Sequence, residues 1–216
     1  MSHPAPPPGT RLMLILPLTG SLTPAHATAC ATAGDVAAVI LAPTADPLDP
    51  VALQAVAAPL QALDCAVVLA ADAAPAATAG LDGVHVGTPA TLAATLKALK
   101  PDAIVGAGGL ESRHEAMEAG ESGADYVLFG DLDGAPASLP RTRDMVVWWT
   151  ELFEIPCVGV AADLEAVATL AAAGADFIAL AAPLTGADDA PAQIRAAQDI
   201  IAAQDIIAAD GADRTP

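Results

Sequence analysis

Short apolar runs alternate along the chain with longer stretches whose apolar residues recur at a helical interval. The runs fall at roughly 12–19, 36–42, 65–71, 83–86, 103–107, 126–130, 156–161 and 177–182. Apart from His85 and Thr19 they are continuously apolar, as expected of strands buried on both faces of a parallel sheet. The stretches at 89–99, 111–122, 142–153 and 163–173 are rich in Ala and Leu and read as helices. The joints share a pattern. Gly34-Asp35-Val36, Gly80-Leu-Asp82-Gly-Val84, Pro101-Asp102-Ala-Ile104, Gly123-Ala-Asp125-Tyr-Val127 and Gly174-Ala-Asp176-Phe-Ile178 each place an Asp between a Gly or Pro and a strand. Glycine enters the left-handed conformation that ends a helix at little cost, and the Asp then opens the next strand.

Eight such units predict an α/β protein and, within that class, a (β/α)₈ TIM barrel over residues 11–209. A doubly wound sheet is the rival. Its dinucleotide-binding form needs G-x-G-x-x-G, and Gly106-Ala-Gly108-Gly109-Leu-Glu111 has Glu in place of the third glycine. Residues 1–10 hold four prolines and read as a disordered tail, and 210–216 as a frayed end. Near that end Ala197-Gln-Asp-Ile-Ile-Ala is followed at once by a second copy starting at Ala203. A repeat of six does not match the helical period, so the two Ile pairs rotate around the helix; a small duplication that lengthens the last helix accounts for it.

Composition narrows the function. The chain of 216 residues carries 8 Lys plus Arg against 26 Asp plus Glu, a formal charge of −18. A phosphate backbone requires a basic stripe, so nucleic acid is excluded as a partner, and anionic membrane surfaces are disfavoured. The stretch 166–187 is long enough to suggest a membrane span, but Gly174, Asp176, Pro183 and Gly186 interrupt it and a strand with a helix explains it better. Arg11-Leu-Met-Leu-Ile-Leu-Pro17 mimics a short secretory signal and serves equally well as a first strand. Cys30, Cys65 and Cys157 are odd in number, widely spaced and set in apolar runs, which predicts buried reduced thiols and a cytoplasmic protein.

In such a barrel chemistry gathers where strands end, and strand starts carry stability. Asp35, Asp64, Asp82, Asp102, Asp125 and Asp176 are therefore structural expectations. The candidates at strand ends are Asp72, His85, Gly87, the stretch from Gly106 to Glu111, Asp131 and Asp133. His85 reads either as a hydrogen-bonded core histidine or as a proton-transfer group. Gly106, Gly108 and Gly109 either present backbone N–H groups to an anion or make a tight bend. Asp131-Leu-Asp133-Gly134 opens like a calcium loop, but Pro136 and Leu139 stand where later oxygen donors belong. Trp148 and Trp149 are consecutive on a helix and cannot both face one core, so one belongs at the barrel rim or in a subunit contact such as a homodimer. Arg141 and Arg143 could meet an anionic ligand, although solvated surface charge is the default.

Four segments then carry a resemblance. Asp82-Gly-Val-His-Val-Gly87, Gly123-Ala-Asp-Tyr-Val-Leu-Phe-Gly130, and Ile155-Pro-Cys-Val-Gly-Val with Ala172-Ala-Gly-Ala-Asp176 resemble the thiamine phosphate synthase and thiazole tautomerase superfamily in order and spacing, over roughly residues 60–185. The resemblance implies a (β/α)₈ barrel. It also implies, for the synthases, coupling of a pyrimidine diphosphate to a thiazole phosphate with Mg²⁺ and release of pyrophosphate.

The positions that handle ligands in that family differ here. The diphosphate-binding Q-x-x-x-K stretch corresponds to Leu41-Ala-Pro-Thr-Ala-Asp46, which has neither residue. The Mg²⁺-binding Asn-Asp aligns with Ala70-Ala71, with Asp72 one place late, and the second Mg²⁺ Asp meets Gly87-Thr-Pro-Ala90. The T-x-T-K loop is replaced by Asp131-Leu-Asp-Gly-Ala-Pro136, and the tautomerase His by Asp131. The strand-seven Gly-Gly becomes Ala161-Ala162, and the phosphate-binding Ser becomes Ala182.

Phosphates need Mg²⁺, Lys and exposed N–H groups to offset their desolvation, and a mouth with Asp131 and Asp133 opposes them. The expectation is a family scaffold that has lost the coupling and binds another small molecule or a partner through Gly87, Gly106, Gly108, Gly109, Asp133 and Arg141. Two alternatives stand beside it. One is an active synthase with Asp72 on Mg²⁺ and Arg113, Arg141 or Arg143 on the phosphates. The other is a lyase or isomerase using His85 and Asp131 as an acid/base pair.

Overall fold

The computed structural model describes residues 9–45, 47–135 and 138–212. The expected N-terminal tail thus lies outside the described residues up to position 8, as do Asp46, Pro136, Ala137 and residues 213–216.

Eight parallel strands close into a barrel in sequence order: β1 (Arg11–Leu18), β2 (Val36–Pro43), β3 (Ala66–Leu69), β4 (Gly83–Val86), β5 (Ile104–Ala107), β6 (Tyr126–Phe129), β7 (Cys157–Ala161) and β8 (Phe177–Leu180). The helices between them are α1 (Pro24–Ala31), α2 (Pro50–Gln61), α3 (Ala73–Thr78), α4 (Pro89–Leu99), α5 (Arg113–Glu121), α6 (Leu139–Thr150) and α7 (Leu164–Ala172), with α8 (Ala182–Thr185) and α9 (Ala190–Ala212) after β8. Closure by β1 and β8, with Leu12 opposite Ile178, excludes the open doubly wound sheet.

Alternation along the strands makes two cores. Leu12, Leu14, Val84, Val86, Val105 and Phe129 pack toward the helices, whereas Met13, Ile15, Ile40, Val68, Tyr126, Leu128, Val158 and Val160 fill the barrel. Trp149 is fully buried against Phe129 and donates from its indole nitrogen to the Ile155 carbonyl at 2.7 Å. Trp148, its neighbour, is half-buried and lies under the Arg113 guanidinium. Cys30, Cys65 and Cys157 are free and buried, and burial pushes the first two thiols up to about 11.

The strand-start aspartates divide by strand. Asp82 accepts a hydrogen bond from the Val67 N–H at 2.7 Å, Asp125 from Val105 at 2.7 Å, and Asp176 from Cys157 at 2.8 Å. The residues just before β4, β6 and β8 thus each satisfy an N–H at the start of the preceding strand, on its second residue in β3 and β5 and on its first in β7. Asp35 beside β2 takes two bonds from the Arg11 guanidinium of β1, which holds its carboxyl below the usual range. Each of these Asp residues ties a strand pair where the chain enters the barrel.

At the C-terminus α9 runs to Ala212. Ala-rich sequence favours that extension. The six-residue repeat behaves as its period requires: Ile201 is fully buried on the barrel, whereas Ile206 and Ile207 are 66% and 63% exposed. Among the described residues no helix is long and apolar enough to cross a membrane.

Candidate functional site

The mouth is built from the loops that lead from strands into helices, and much of its polar chemistry goes into starting those helices. Thr23 accepts from the His26 N–H, Asp49 from Val51, Ser112 from Glu115 and Asp163 from Ala166. Unpaired N–H groups of a first turn require such acceptors. Glu115 reaches back to the Ser112 hydroxyl and the Glu111 N–H, as a capping-box residue does. The Asp133 carboxylate accepts from the Ala135 N–H at 3.0 Å and shapes the turn after β6. Among the described residues, the carboxylates of Asp72, Glu111 and Asp131 have no such intramolecular duty.

His85 lies inside the barrel. Val84 and Val86 face the helices, so alternation turns the imidazole inward, where only 2% of the residue is exposed. Its Nδ1 and the Tyr126 hydroxyl share a hydrogen bond of 3.1 Å, and the two rings lie within 12° of parallel. Burial lowers the His85 pKa to about 4 and raises that of Tyr126. A neutral imidazole paired with a neutral phenol results.

That pair explains two glycines. A Cβ on Gly106 would stand 2.0 Å from Tyr126 Cζ, and one on Gly108 would stand 2.5 Å from His85 Nε2. Gly106 lies within β5 between His85 and Tyr126 in the register, and the Gly108 N–H donates to the Val86 carbonyl at 2.7 Å. Their shared role is to leave room for two rings in a barrel otherwise filled with aliphatic side chains. Gly109 has φ +66°, and a Cβ there would meet the Gly87 carbonyl oxygen at 2.1 Å. Gly87 itself is exposed in the β4–α4 loop.

Asp131 is separate from this pair. It lines a cavity of about 290 Å³ between the β5–α5 loop, the end of β6 and α6, together with Leu110, Glu111, Phe129, Ser138, Arg141, Thr142 and Met145. His85 does not line it and shares its bond with Tyr126, so the structure does not bring His85 and Asp131 together as an acid/base pair. Arg141 donates from its guanidinium to the Glu111 carbonyl and forms part of the wall. The other two arginines weighed for anions are engaged elsewhere: Arg113 sits 4.9 Å above the Trp148 ring, and Arg143 lies 3.5 Å from Asp144. Glu111 belongs to the stretch the sequence marks after β5, whereas Tyr126 as the partner of His85 is not among the sequence candidates. Its place at a strand end marks Glu111, and nothing local marks Tyr126.

Asp133 is exposed beside the cavity, and Gly134 after it has φ +74° and is buried. The turn carries Gly134 across the mouth onto the ends of β7 and β8. A Cβ on Gly134 would stand 2.6 Å from Ala181 Cβ and 3.1 Å from Ala162 Cβ, and Leu132 packs on the core inside the barrel. Asp72 is exposed at the start of α3, without a capping bond. Among the described residues no three His, Cys, Asp or Glu side chains converge as a metal would require. Asp72, the metal ligand suggested by the resemblance, is not among the residues that line the Asp131 cavity, and no step is assigned to Mg²⁺.

Comparison with known proteins accords with this frame. Residues 23–184 match the family model described as thiamine monophosphate synthase. A thiamine-phosphate synthase of Rhodospirillum centenum is 44% identical over 158 residues, which span 68% of this chain and 75% of that protein. One from Hyphomonas neptunium is 38% identical over 118 residues, 52% of this chain and 53% of its own length. Among solved structures, the thiamine phosphate pyrophosphorylase of Pyrococcus furiosus superposes with a TM-score of 0.74 at 20% identity, covering 90% of this chain and 96% of that one. The (S)-3-O-geranylgeranylglyceryl phosphate synthase of Thermoplasma acidophilum follows at 0.66 and 17%, over 89% and 93%. At such identities these two structures speak for the fold alone. The family model spans most of the chain and the Rhodospirillum relative covers about two thirds of it, so this protein belongs to the thiamine monophosphate synthase family.

Proposed function

We propose that this chain is a divergent family member that does not couple a pyrimidine diphosphate to a thiazole phosphate, and that it binds a different small molecule at the barrel mouth. The observation that carries this reading is the contact of Gly134 with Ala162 and Ala181. The family resemblance assigns phosphate binding to the ends of β7 and β8. Here the turn after β6 fills that space, and methyl groups replace the close backbone approach that glycine permits.

The cations agree with it. The chain has two lysines, Lys97 in the last turn of α4 and Lys100 just after it, and Lys100 is bound at 2.6 Å to Asp125 at the opposite end of the barrel. A diphosphate at the mouth would meet Asp131 and Glu111 with Arg141 as the one arginine in the cavity wall. The three buried thiols support a reducing compartment such as the cytoplasm.

A retained synthase activity is the competing reading, favoured by the names of the relatives. One experiment separates the two. The protein is mixed with pyrimidine diphosphate, thiazole phosphate and Mg²⁺, and pyrophosphate release and melting temperature are both followed. No release and no upward shift are expected, because only a ligand of the native state raises the melting temperature. Turnover above the enzyme-free background would overturn the proposal.

A further inference from the structure

The cavity between β5, β6 and α6 has three kinds of wall. Phe129 and Met145, 2% and 8% exposed, make an apolar floor together with Leu110. Glu111 and Asp131 bring two exposed carboxylates to the rim. Arg141 brings one guanidinium, held against the rim by its bond to the Glu111 carbonyl. At about 290 Å³ the space lies at the small end of ligand pockets.

A ligand that satisfies all three walls carries a positive group, a negative group and an apolar body within a few ångströms. A phosphate meets two like charges for each opposite one. A simple amine leaves the guanidinium facing its own charge, and a simple carboxylate leaves the two acids doing so. Resting on the reading of the mouth as a small-molecule site, we propose that this cavity binds a free α-amino acid with an aliphatic or thioether side chain. The ammonium faces Asp131 and Glu111, the carboxylate takes a charge-assisted hydrogen bond from Arg141, and the side chain lies on Phe129 and Met145.

The test is titration calorimetry of the full chain with L-leucine and L-methionine, against N-acetyl-leucine, which lacks the ammonium, and leucinamide, which lacks the carboxylate. The free amino acids are expected to bind at least about tenfold more tightly than either blocked form, the order set by one lost charge-assisted contact. Arg141→Gln should remove the preference for leucine over leucinamide, and Asp131→Asn, which leaves Glu111 in place, should reduce the preference over N-acetyl-leucine. Both positions are exposed, so folding is not at stake in either variant. Absence of heat with both amino acids, or equal binding of the blocked forms, would overturn the assignment. Pyrophosphate release bears on the coupling reaction alone, so the two readings fail separately.

Discussion

His85 Nδ1 lies 3.1 Å from the Tyr126 hydroxyl across the strand between them, and β5 accommodates the pair by carrying glycine wherever a side chain would strike a ring. A hydrogen bond in a sealed barrel costs more to break than it contributes when formed, because the remaining partner stays dry. Tyr126→Phe is therefore expected to destabilise the fold by about 1–3 kcal/mol, measured by urea unfolding. A change below about 0.5 kcal/mol would show that the pair is not needed.

The same burial sets a pH dependence. His85 is held near pKa 4 in the fold against 6.5 for an unperturbed histidine, so below pH 6.5 the unfolded chain binds the proton first. The stability tied to neutral His85 is complete above pH 6.5 and is lost as the pH falls toward 4. The full loss is on the order of 3 kcal/mol for a shift of this size. His85→Asn should flatten that part of the profile between pH 6.5 and 4.5. Parallel profiles for the two proteins would contradict the assignment.

Gly106→Ala places a methyl group 2.0 Å from Tyr126 Cζ, and the ring is buried in the core inside the barrel. Overpacking of this kind costs about 1–3 kcal/mol. Combined with Tyr126→Ala, the same substitution should cost far less, since the obstacle is gone. A double-mutant cycle reads that difference directly, and additivity would separate the glycine from the ring.

At the other end of the barrel, Asp82→Ala, Asp125→Ala and Asp176→Ala each leave a strand N–H without its acceptor. Each should lose about 1 kcal/mol. Asp102 opens β5 in the same sequence context, but its carboxylate bonds to no described residue. Asp102→Ala should stay within about 0.5 kcal/mol of the parent in the same denaturation series.

Gly134→Ala tests the turn over the mouth. Its φ of +74° and its contact with Ala181 both oppose a methyl group, so the turn must lift. Limited proteolysis should cut the 131–135 turn faster in the variant while near-ultraviolet circular dichroism of the barrel stays unchanged. Equal cutting rates would show that the turn does not depend on this contact.

The local pattern sufficed for the scaffold. A continuous apolar run bounded by Asp and Gly specifies a strand buried on both faces, and the 89–99 helix is found as α4 over the same span because Pro89 and the Ala/Leu spacing that follows are complete within one stretch. The structural role of Asp82, Asp125 and Asp176 was likewise readable, since strand starts are marked by the residues just before them.

Partnership was not readable in this way. Tyr126 is 41 residues from His85, and Gly106 is shaped by a ring on the next strand, so neither spacing nor composition shows that the three share one layer. The same holds at the mouth, where Gly134 meets Ala162 and Ala181 only because the barrel has closed, and where Glu111, Asp131 and Arg141 border one cavity from three different segments. Periodicity acts over a few residues and thus decides which elements form and which side of each is apolar. Closure of the sheet joins residues with no signal along the chain, and that step alone decides which polar groups are buried together, which are used as caps, and which are left facing a ligand.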